Sequence, residues 1–121
     1  MKNQASQLQE TWEIYTAAWK VKSKEEKLAL FARSLTIECT YSDPTVKTEG
    51  WEALAANMLG FHQQVPGGHF VTTYFLAHSD KSITRWEMRN QEGEMIGDGI
   101  SYGEYNTEGK LTSMTGFFEA P

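Results

Sequence analysis

The sequence is poor in cysteine and histidine and has no long apolar run. Its one cysteine, Cys39, has no partner for an internal disulfide, which fits a reducing cytoplasm. The three histidines show neither the HxxxH nor the HExxH spacing, so we expect no metal site. No stretch approaches the roughly 20 apolar residues that cross a bilayer, and the N-terminus lacks the apolar core of a signal peptide. These absences favour a cytoplasmic protein without a membrane segment.

Basic residues are also scarce. The chain has 11 Lys and Arg against 16 Asp and Glu, and the basic residues form no run. A net charge of −5 argues against a nucleic-acid surface or an anionic-membrane surface. What the sequence does have is 40% apolar and 12% aromatic residues over 121 positions. That composition is enough for the core of one domain, which we place at residues 1–121.

Apolar residues at helical spacing predict three helices in the first half of the chain. The first covers residues 4–21 and carries several aromatic side chains on its apolar stripe. A second, shorter helix follows Ser23, which forms a capping-box pattern with Glu26. The third covers residues 50–62 and ends at the sequence VPGG, which helices do not tolerate inside.

Alternating apolar and polar residues predict strands. The segment from Leu35 to Asp43 has Ile37 and Cys39 on the same face as its two ends, and Pro44 ends it. Four further strands follow in the second half, joined by three hairpin turns. They cover 69–78, 82–90, 95–105 and 111–119. This order predicts an α+β fold whose helices gather on one face of a mostly antiparallel sheet.

The turn positions predict which residues share each face of the sheet. They set Trp86 opposite Gly99 and Met88 opposite Gly97, while Ser101 faces Met114 and Gly97 faces Phe118. One face then carries Trp86, Met88, Gly97, Gly99, Ser101, Gly103, Met114, Gly116 and Phe118. Either the glycine row bends the sheet around a cavity, or neighbouring aromatic side chains fill the gaps.

The opposite face carries an unusual number of apolar residues for a solvated surface. It holds Arg85, Glu87, Arg89, Ile96, Asp98, Ile100 and Tyr102, with Tyr74, Leu76 and His78 from the neighbouring strand. Such a patch predicts a homodimer. We expect the contact to use Tyr74, Leu76, Arg85, Glu87, Ile100 and Tyr102. A one-residue slip would move Asp98 to the cavity side instead.

Three segments resemble a known superfamily: TYSDPTVKTEGWEAL, RWEMRNQEGEMIGDG and GEYNTEGKLTSMTGFFE. They are similar to nuclear-transport-factor-2-like proteins, and among these to the SnoaL-like polyketide cyclases and the ketosteroid isomerase-related group. The resemblance implies a cone-shaped fold in which a curved sheet wraps around a pocket under three helices, with dimers through the outer sheet face. It also implies that Asp43 stands where the isomerases keep a proton-shuttling aspartate. Where those isomerases have an aspartic acid that donates a hydrogen bond to the enolate, this chain has Ser101, and Tyr15 and Trp19 are the nearest candidates for their second donor, a helix-1 tyrosine.

These observations lead to two functional hypotheses and a structural alternative. The first is a cofactor-free isomerase or cyclase for a small hydrophobic molecule, with Asp43 as general base and Tyr15 or Tyr41 as hydrogen-bond donor. The second is a binding module without catalysis, and the third a dimerisation domain whose pocket is filled by its own aromatic side chains. Asp43 has its own alternative role, that of capping the turn at Pro44. The predicted ligand contacts are Trp19, Tyr41, Trp51, Met58, Trp86, Met88, Ser101, Met114 and Phe118.

Overall fold

The computed structural model describes residues 3–119. These residues form three helices and six strands, with two of the strands between the second and third helices. The helices are α1 (Gln4–Ala17), α2 (Lys24–Ser34) and α3 (Trp51–Gln64). The strands are β1 (Leu35–Asp43), β2 (Val46–Glu49), β3 (His69–His78), β4 (Lys81–Arg89), β5 (Met95–Tyr105) and β6 (Leu111–Phe117). Within the described residues, no helix is long and apolar enough to cross a membrane.

Local capping bonds fix where the first two helices begin. The Asn3 side chain accepts a hydrogen bond from the backbone N–H of Ser6 at 2.8 Å, which caps α1. The predicted capping box between Ser23 and Glu26 is present at the start of α2. Helix α1 ends at Ala17, four residues earlier than predicted, and a turn follows it.

The sheet is mixed, curved and not closed. Its strand order is β2-β1-β6-β5-β4-β3, and the pairing of β1 with β6 is its parallel one, while the other neighbours are antiparallel. The predicted α+β class with a mostly antiparallel curved sheet is therefore confirmed. Strand β2 was not predicted: the chain turns at Pro44 and Thr45 and returns along β1, so the proline lies in a hairpin turn.

The predicted register is confirmed for the β4–β5 hairpin and wrong by two residues for the next one. Trp86 pairs with Gly99 and Met88 with Gly97. Ser101 pairs with Gly116 instead of Met114, because the turn is one residue longer than predicted, with Tyr105 opposite Leu111, and an irregularity between Glu104 and Tyr105 adds one more residue. The predicted pair of Gly97 with Phe118 is wrong for the same reason. A shift of two residues keeps every side chain on its predicted face.

Strand β1 is irregular near its start. The β1–β6 pairing shifts between Leu35 and Thr40, so the alternation breaks there. As a result Ile37 is 74% exposed, and its predicted place on the buried face is wrong, while Cys39 and Tyr41 are buried as predicted.

The core lies between α1–α3 and the inner face of the sheet. Its buried hydrophobic residues are Leu8, Trp12, Tyr15, Ala18, Trp19, Phe31, Leu35, Cys39, Tyr41, Leu54, Ala55, Met58, Tyr105, Leu111 and Met114.

Candidate functional site

A cavity of about 660 Å³ opens between helices α1 and α3 and the inner face of the sheet. Helix α1 and the turn after it contribute four residues to the lining, α3 contributes five, and the strands and the residues next to their ends supply the remainder. The lining includes Trp12, Tyr15, Thr16, Trp19, Tyr41, Asp43, Thr45, Ala56, Asn57, Gly60, Phe61, Gln64, Val65, Phe70, Thr72, Trp86, Met88, Ile96, Gly97, Asp98, Ser101, Gly116, Phe118 and Glu119. Its volume suits a drug-sized or metabolite-sized molecule.

A continuous aromatic cluster forms much of the wall. Trp19 lies at its centre, and three rings surround it at centroid distances of 5.8, 5.5 and 5.3 Å: Tyr41, Phe61 and Phe70. Phe70 continues to Trp86 at 5.1 Å, and Trp86 to Phe118 at 6.1 Å. Most of these contacts are edge-to-face, which is a favourable arrangement for aromatic pairs.

The glycine row serves both purposes that the sequence left open. An added Cβ at Gly99 would lie 2.4 Å from Cζ2 of Trp86, so the indole fills the space above that glycine. Gly97 and Gly116 line the cavity. The aromatic side chains therefore fill one gap in the row and leave a cavity beside it.

The Asp43 carboxylate has two different environments at its two oxygens. Oδ1 accepts hydrogen bonds from the backbone N–H and the hydroxyl of Thr45, at 2.7 and 2.8 Å, and from the N–H of Val46 at 3.1 Å. Oδ2 accepts a hydrogen bond from the Tyr41 hydroxyl at 2.5 Å. Asp43 thus caps the β1–β2 turn with one oxygen and meets a cavity-lining hydroxyl with the other. The turn bonds explain why a carboxylate stands at the end of a strand face that is otherwise apolar.

Two indole–hydroxyl pairs place hydrogen-bond donors in the lining. Trp19 Nε1 donates to Tyr15 Oη at 2.9 Å, and Trp86 Nε1 donates to Ser101 Oγ at 2.9 Å. Among residues 3–119 neither hydroxyl has a recorded acceptor for its own hydrogen. Each can therefore donate to a molecule in the cavity.

Burial keeps the two lining tyrosines protonated at neutral pH. Desolvation raises the pKa of Tyr15 far above its ordinary value, with a smaller contribution from the charge on Asp43. Desolvation also raises the pKa of Tyr41, and the hydrogen bond to Asp43 adds to this. Both hydroxyls are therefore donors and not bases.

Most of the residues singled out from the sequence meet at this cavity. Eight of the eleven candidate site residues line it: Asp43, Tyr15, Trp19, Tyr41, Trp86, Met88, Ser101 and Phe118. Their roles as catalytic or ligand-binding residues stay predictions. Asp98 pairs with Glu87 on the outer face, as predicted, and also reaches the rim of the cavity.

Three candidate ligand contacts lie outside the lining of this cavity, and each has a packing role. The indole of Trp51 donates to the Thr36 carbonyl at 2.8 Å, which holds it against the start of β1. Met58 is fully buried in the core. Met114 packs against Cys39, with 3.2 Å between their sulfur atoms. The helical spacing identified buried positions correctly but could not tell the side facing the core from the side facing the cavity.

The sequence interpretation missed the cavity-facing side of α3. Asn57, Gly60, Phe61 and Gln64 recur at a spacing of three and four residues, which puts them on one helix face. The polar residues in that stripe would have been the signal for a partly solvated face. Phe70 of β3 was missed as well. Within the described residues, no group of three or more His, Cys, Asp and Glu side chains could hold a metal ion.

Comparison with known proteins finds similarity in structure and not in sequence. No protein-family model and no curated protein matches the chain. A proposed isomerase of the SnoaL-like family from Agrobacterium tumefaciens is 25% identical, with a TM-score of 0.86, over 95% of this chain and 99% of that one. A proposed SnoaL-like polyketide cyclase from Jannaschia is 14% identical, with a TM-score of 0.78, over 98% and 90%. An NTF2-like protein of unknown function from Exiguobacterium is 14% identical, with a TM-score of 0.72, over 92% and 99%.

Proposed function

We propose that this chain, which has the fold of the nuclear-transport-factor-2-like superfamily and its SnoaL-like members, binds a small, largely apolar carbonyl compound and moves a proton on it. Asp43 is the general base, and the hydroxyls of Tyr15 and Ser101 stabilise the oxyanion. The single observation that carries the proposal is the position of the Asp43 carboxylate in the lining of an aromatic cavity. The fold alone chooses no reaction, so the argument rests on the side chains.

The two oxygens of the Asp43 carboxylate accept hydrogen bonds from different donors, which supports this role. Three donors hold Oδ1, so the carboxylate cannot rotate freely. Oδ2 keeps a second lone pair beside the one that Tyr41 uses. A base held in one orientation loses little free energy in reaching the reactive geometry.

The proposed step conserves atoms and charge. A proton leaves the carbon next to a carbonyl and binds Asp43 Oδ2, while the electron pair of the broken C–H bond moves towards the carbonyl oxygen. The hydroxyls of Tyr15 and Ser101 donate to that oxygen. Return of the proton to another carbon gives an isomer, and attack of the enolate on a second carbonyl of the same molecule gives a ring.

Hydrogen–deuterium exchange tests this step without knowledge of the natural substrate. 2-Tetralone is a ketone with acidic C–H bonds, and its exchange in D₂O can be followed by proton NMR. We expect the protein to accelerate exchange above the buffer rate, and Asp43→Asn to lower the acceleration by about 10²–10⁴-fold, the usual contribution of a general base. In this variant the amide oxygen can still accept the three bonds at Oδ1, so the turn is kept.

Asp80→Asn provides the matched control. Asp80 lies in the β3–β4 turn, outside the cavity lining, and accepts a hydrogen bond from Gln4 at 2.8 Å. It should exchange 2-tetralone protons at the wild-type rate. Equal exchange by wild type and Asp43→Asn, or no acceleration by the wild type, would refute a base role for Asp43.

A second candidate function is binding without turnover. The observation that favours it is the Tyr41 hydroxyl, which already occupies one lone pair of Oδ2. In that case Asp43 would orient a ligand and 2-tetralone would bind without exchange. A binding isotherm together with a buffer-level exchange rate would support this function over catalysis.

We also propose that two copies associate through the outer face of the sheet. Tyr74 and Leu76 on β3 are 56% and 54% exposed, and Ile83 on β4 is 44% exposed. Leu76 pairs with Ile83 on β4, and Ile83 with Tyr102 on β5, two residues from Ile100, so the apolar residues are contiguous. The predicted contact residues Glu87 and Tyr102 flank the same patch. Exposed apolar area of this kind favours a partner surface.

A further inference from the structure

The charges in the cavity lining are all of one sign. Three lining residues are acidic: Asp43, Asp98 and Glu119. Within residues 3–119, the lining contains no lysine, arginine or histidine. An anionic ligand would therefore meet three carboxylates and no compensating cation.

Four aromatic rings in contact with one another line the cavity. Trp19 meets Phe61 at an interplanar angle of 87° and Phe70 at 75°, and Phe70 meets Trp86 at 87°. Phe61 in turn stacks on Phe70 at 26°, with 5.3 Å between their centroids, so the rings pack together as one wall of the cavity. A positive charge against this wall is attracted by the negative π-faces, as in the aromatic sites that recognise quaternary ammonium groups.

Asp43 adds a desolvation argument. A neutral apolar molecule that fills the cavity removes water from Oδ2 and returns no charge, which is costly for a carboxylate. A ligand-borne cation replaces the lost solvation. Asp43 and the aromatic wall therefore favour the same ligand charge for two independent reasons.

We propose that the ligand of this cavity carries a positively charged nitrogen, as a protonated or quaternary amine. This inference rests on the proposed function only in using the same cavity, and it extends that function by naming the ligand class. A substrate-borne cation would also compensate for the lack of a positively charged side chain beside the enolate oxygen, where Tyr15 and Ser101 are both neutral donors.

Three compounds of one shape test the ligand charge directly. They are (4-hydroxymethylphenyl)trimethylammonium, its neutral isostere 4-tert-butylbenzyl alcohol, and the anion 4-(hydroxymethyl)benzenesulfonate. Binding is measured by titration calorimetry at matched ionic strength, since salt screens such charges. We expect the cation to bind about tenfold more tightly than the neutral isostere, and the anion to bind more weakly than either.

Charge-removing variants separate the cavity carboxylates from the overall charge of the protein. Glu119→Gln, at the rim, should weaken cation binding and leave binding of the neutral isostere unchanged. Glu108→Gln is the matched control, because Glu108 is exposed in the β5–β6 turn and lies outside the lining. The same net charge change there should leave the cation affinity at the wild-type value.

The outcomes separate this inference from the proposed reaction. If the neutral isostere binds as tightly as the cation, or if Glu108→Gln weakens the cation as much as Glu119→Gln does, the ligand class is refuted. Exchange of 2-tetralone would still support proton transfer by Asp43. Conversely, a preference for the cation without any exchange would support the ligand class and refute the reaction.

Discussion

Lys27 of α2 is a fully buried lysine, and its pH behaviour gives a sharp test of the helical layer. Its Nζ donates to the carbonyls of Ala18 and Val21, at 2.7 and 2.6 Å, and lies 2.7 Å from His62 Nε2. Two backbone carbonyls thus accept hydrogen bonds from the ammonium group, and an imidazole nitrogen lies beside it. These contacts of Lys27 connect α2 to the end of α1 and to α3.

Desolvation lowers the pKa of Lys27 from 10.5 to about 8, because burial penalises the charged form. Between these two values the unfolded chain binds more protons than the folded one. The free energy of unfolding should therefore rise with pH through that window. Each pKa unit corresponds to about 1.36 kcal/mol, so from pH 7 to pH 10 the gain is about 2.5 kcal/mol. The raised pKa values of Cys39 and Tyr105 oppose this gain, from about pH 9 and pH 10 upward, so the contribution of Lys27 is measured against a variant that lacks it.

Urea unfolding of the wild type and of Lys27→Met, followed by tryptophan fluorescence, measures this gain. Relative to the variant, which has no titrating group at this position, the wild type should gain about 2.5 kcal/mol between pH 7 and pH 10, because the raised pKa of Cys39 lowers the stability of both proteins equally. Equal pH slopes for the two proteins would refute the reasoning. If the variant does not fold, NMR titration of the Lys27 side chain in the wild type decides the question, and a pKa near 10.5 would refute it.

Three further predictions concern packing and association. Gly60→Ala should stabilise the protein by about 0.5–1 kcal/mol, because no atom lies within 4 Å of the added methyl in helix α3. Gly99→Ala should destabilise the protein by about 1–3 kcal/mol through a clash with Trp86. A higher thermal unfolding temperature for Gly99→Ala than for Gly60→Ala would contradict this. Burial raises the pKa of the Cys39 thiol to about 12. A disulfide reagent at pH 8 should therefore label Cys39 in urea and not in the native protein. Rapid labelling of the native protein would contradict the burial of this thiol. Leu76→Lys should convert the proposed dimer to monomer in light scattering without loss of stability, and an unchanged mass would argue against this face as the interface.

The sequence predicts the parts of the fold that local chemistry decides. The turn after Arg89 contains Gly93 at a positive φ of 85°, and it sets the β4–β5 register as predicted. The β5–β6 turn is one residue longer than predicted, and an irregularity beside Tyr105 that no sequence signal indicates adds a second residue, so the β5–β6 register is off by two. Pro44 was interpreted as a strand end, although a proline also suits the turn of a hairpin.

The sequence predicts the cavity lining only for strand residues, where the choice is between the two faces of the sheet. Strand residues have two faces, so the positions of Trp86, Met88 and Ser101 in the lining followed from alternation. Helix α3 presents one side to the core and another to the cavity, and the periodicity of Trp51 and Met58 reports burial without saying which. The separation of these two sides depends on how α3 packs on the sheet, which is a tertiary property.

The sequence offers two alternative interpretations of Asp43, a turn cap and a functional group in the cavity. In the structure the two roles are compatible. A turn cap needs only one carboxylate oxygen, and Oδ1 meets that need with three donors. The same bonds fix the position of Oδ2 beside Tyr41 in the cavity lining. A freely rotating carboxylate would have to be ordered when a ligand binds, whereas this one is ordered by folding. The capping bonds are therefore an argument for a precisely held functional group, because they remove an entropic cost that binding or proton transfer would otherwise carry.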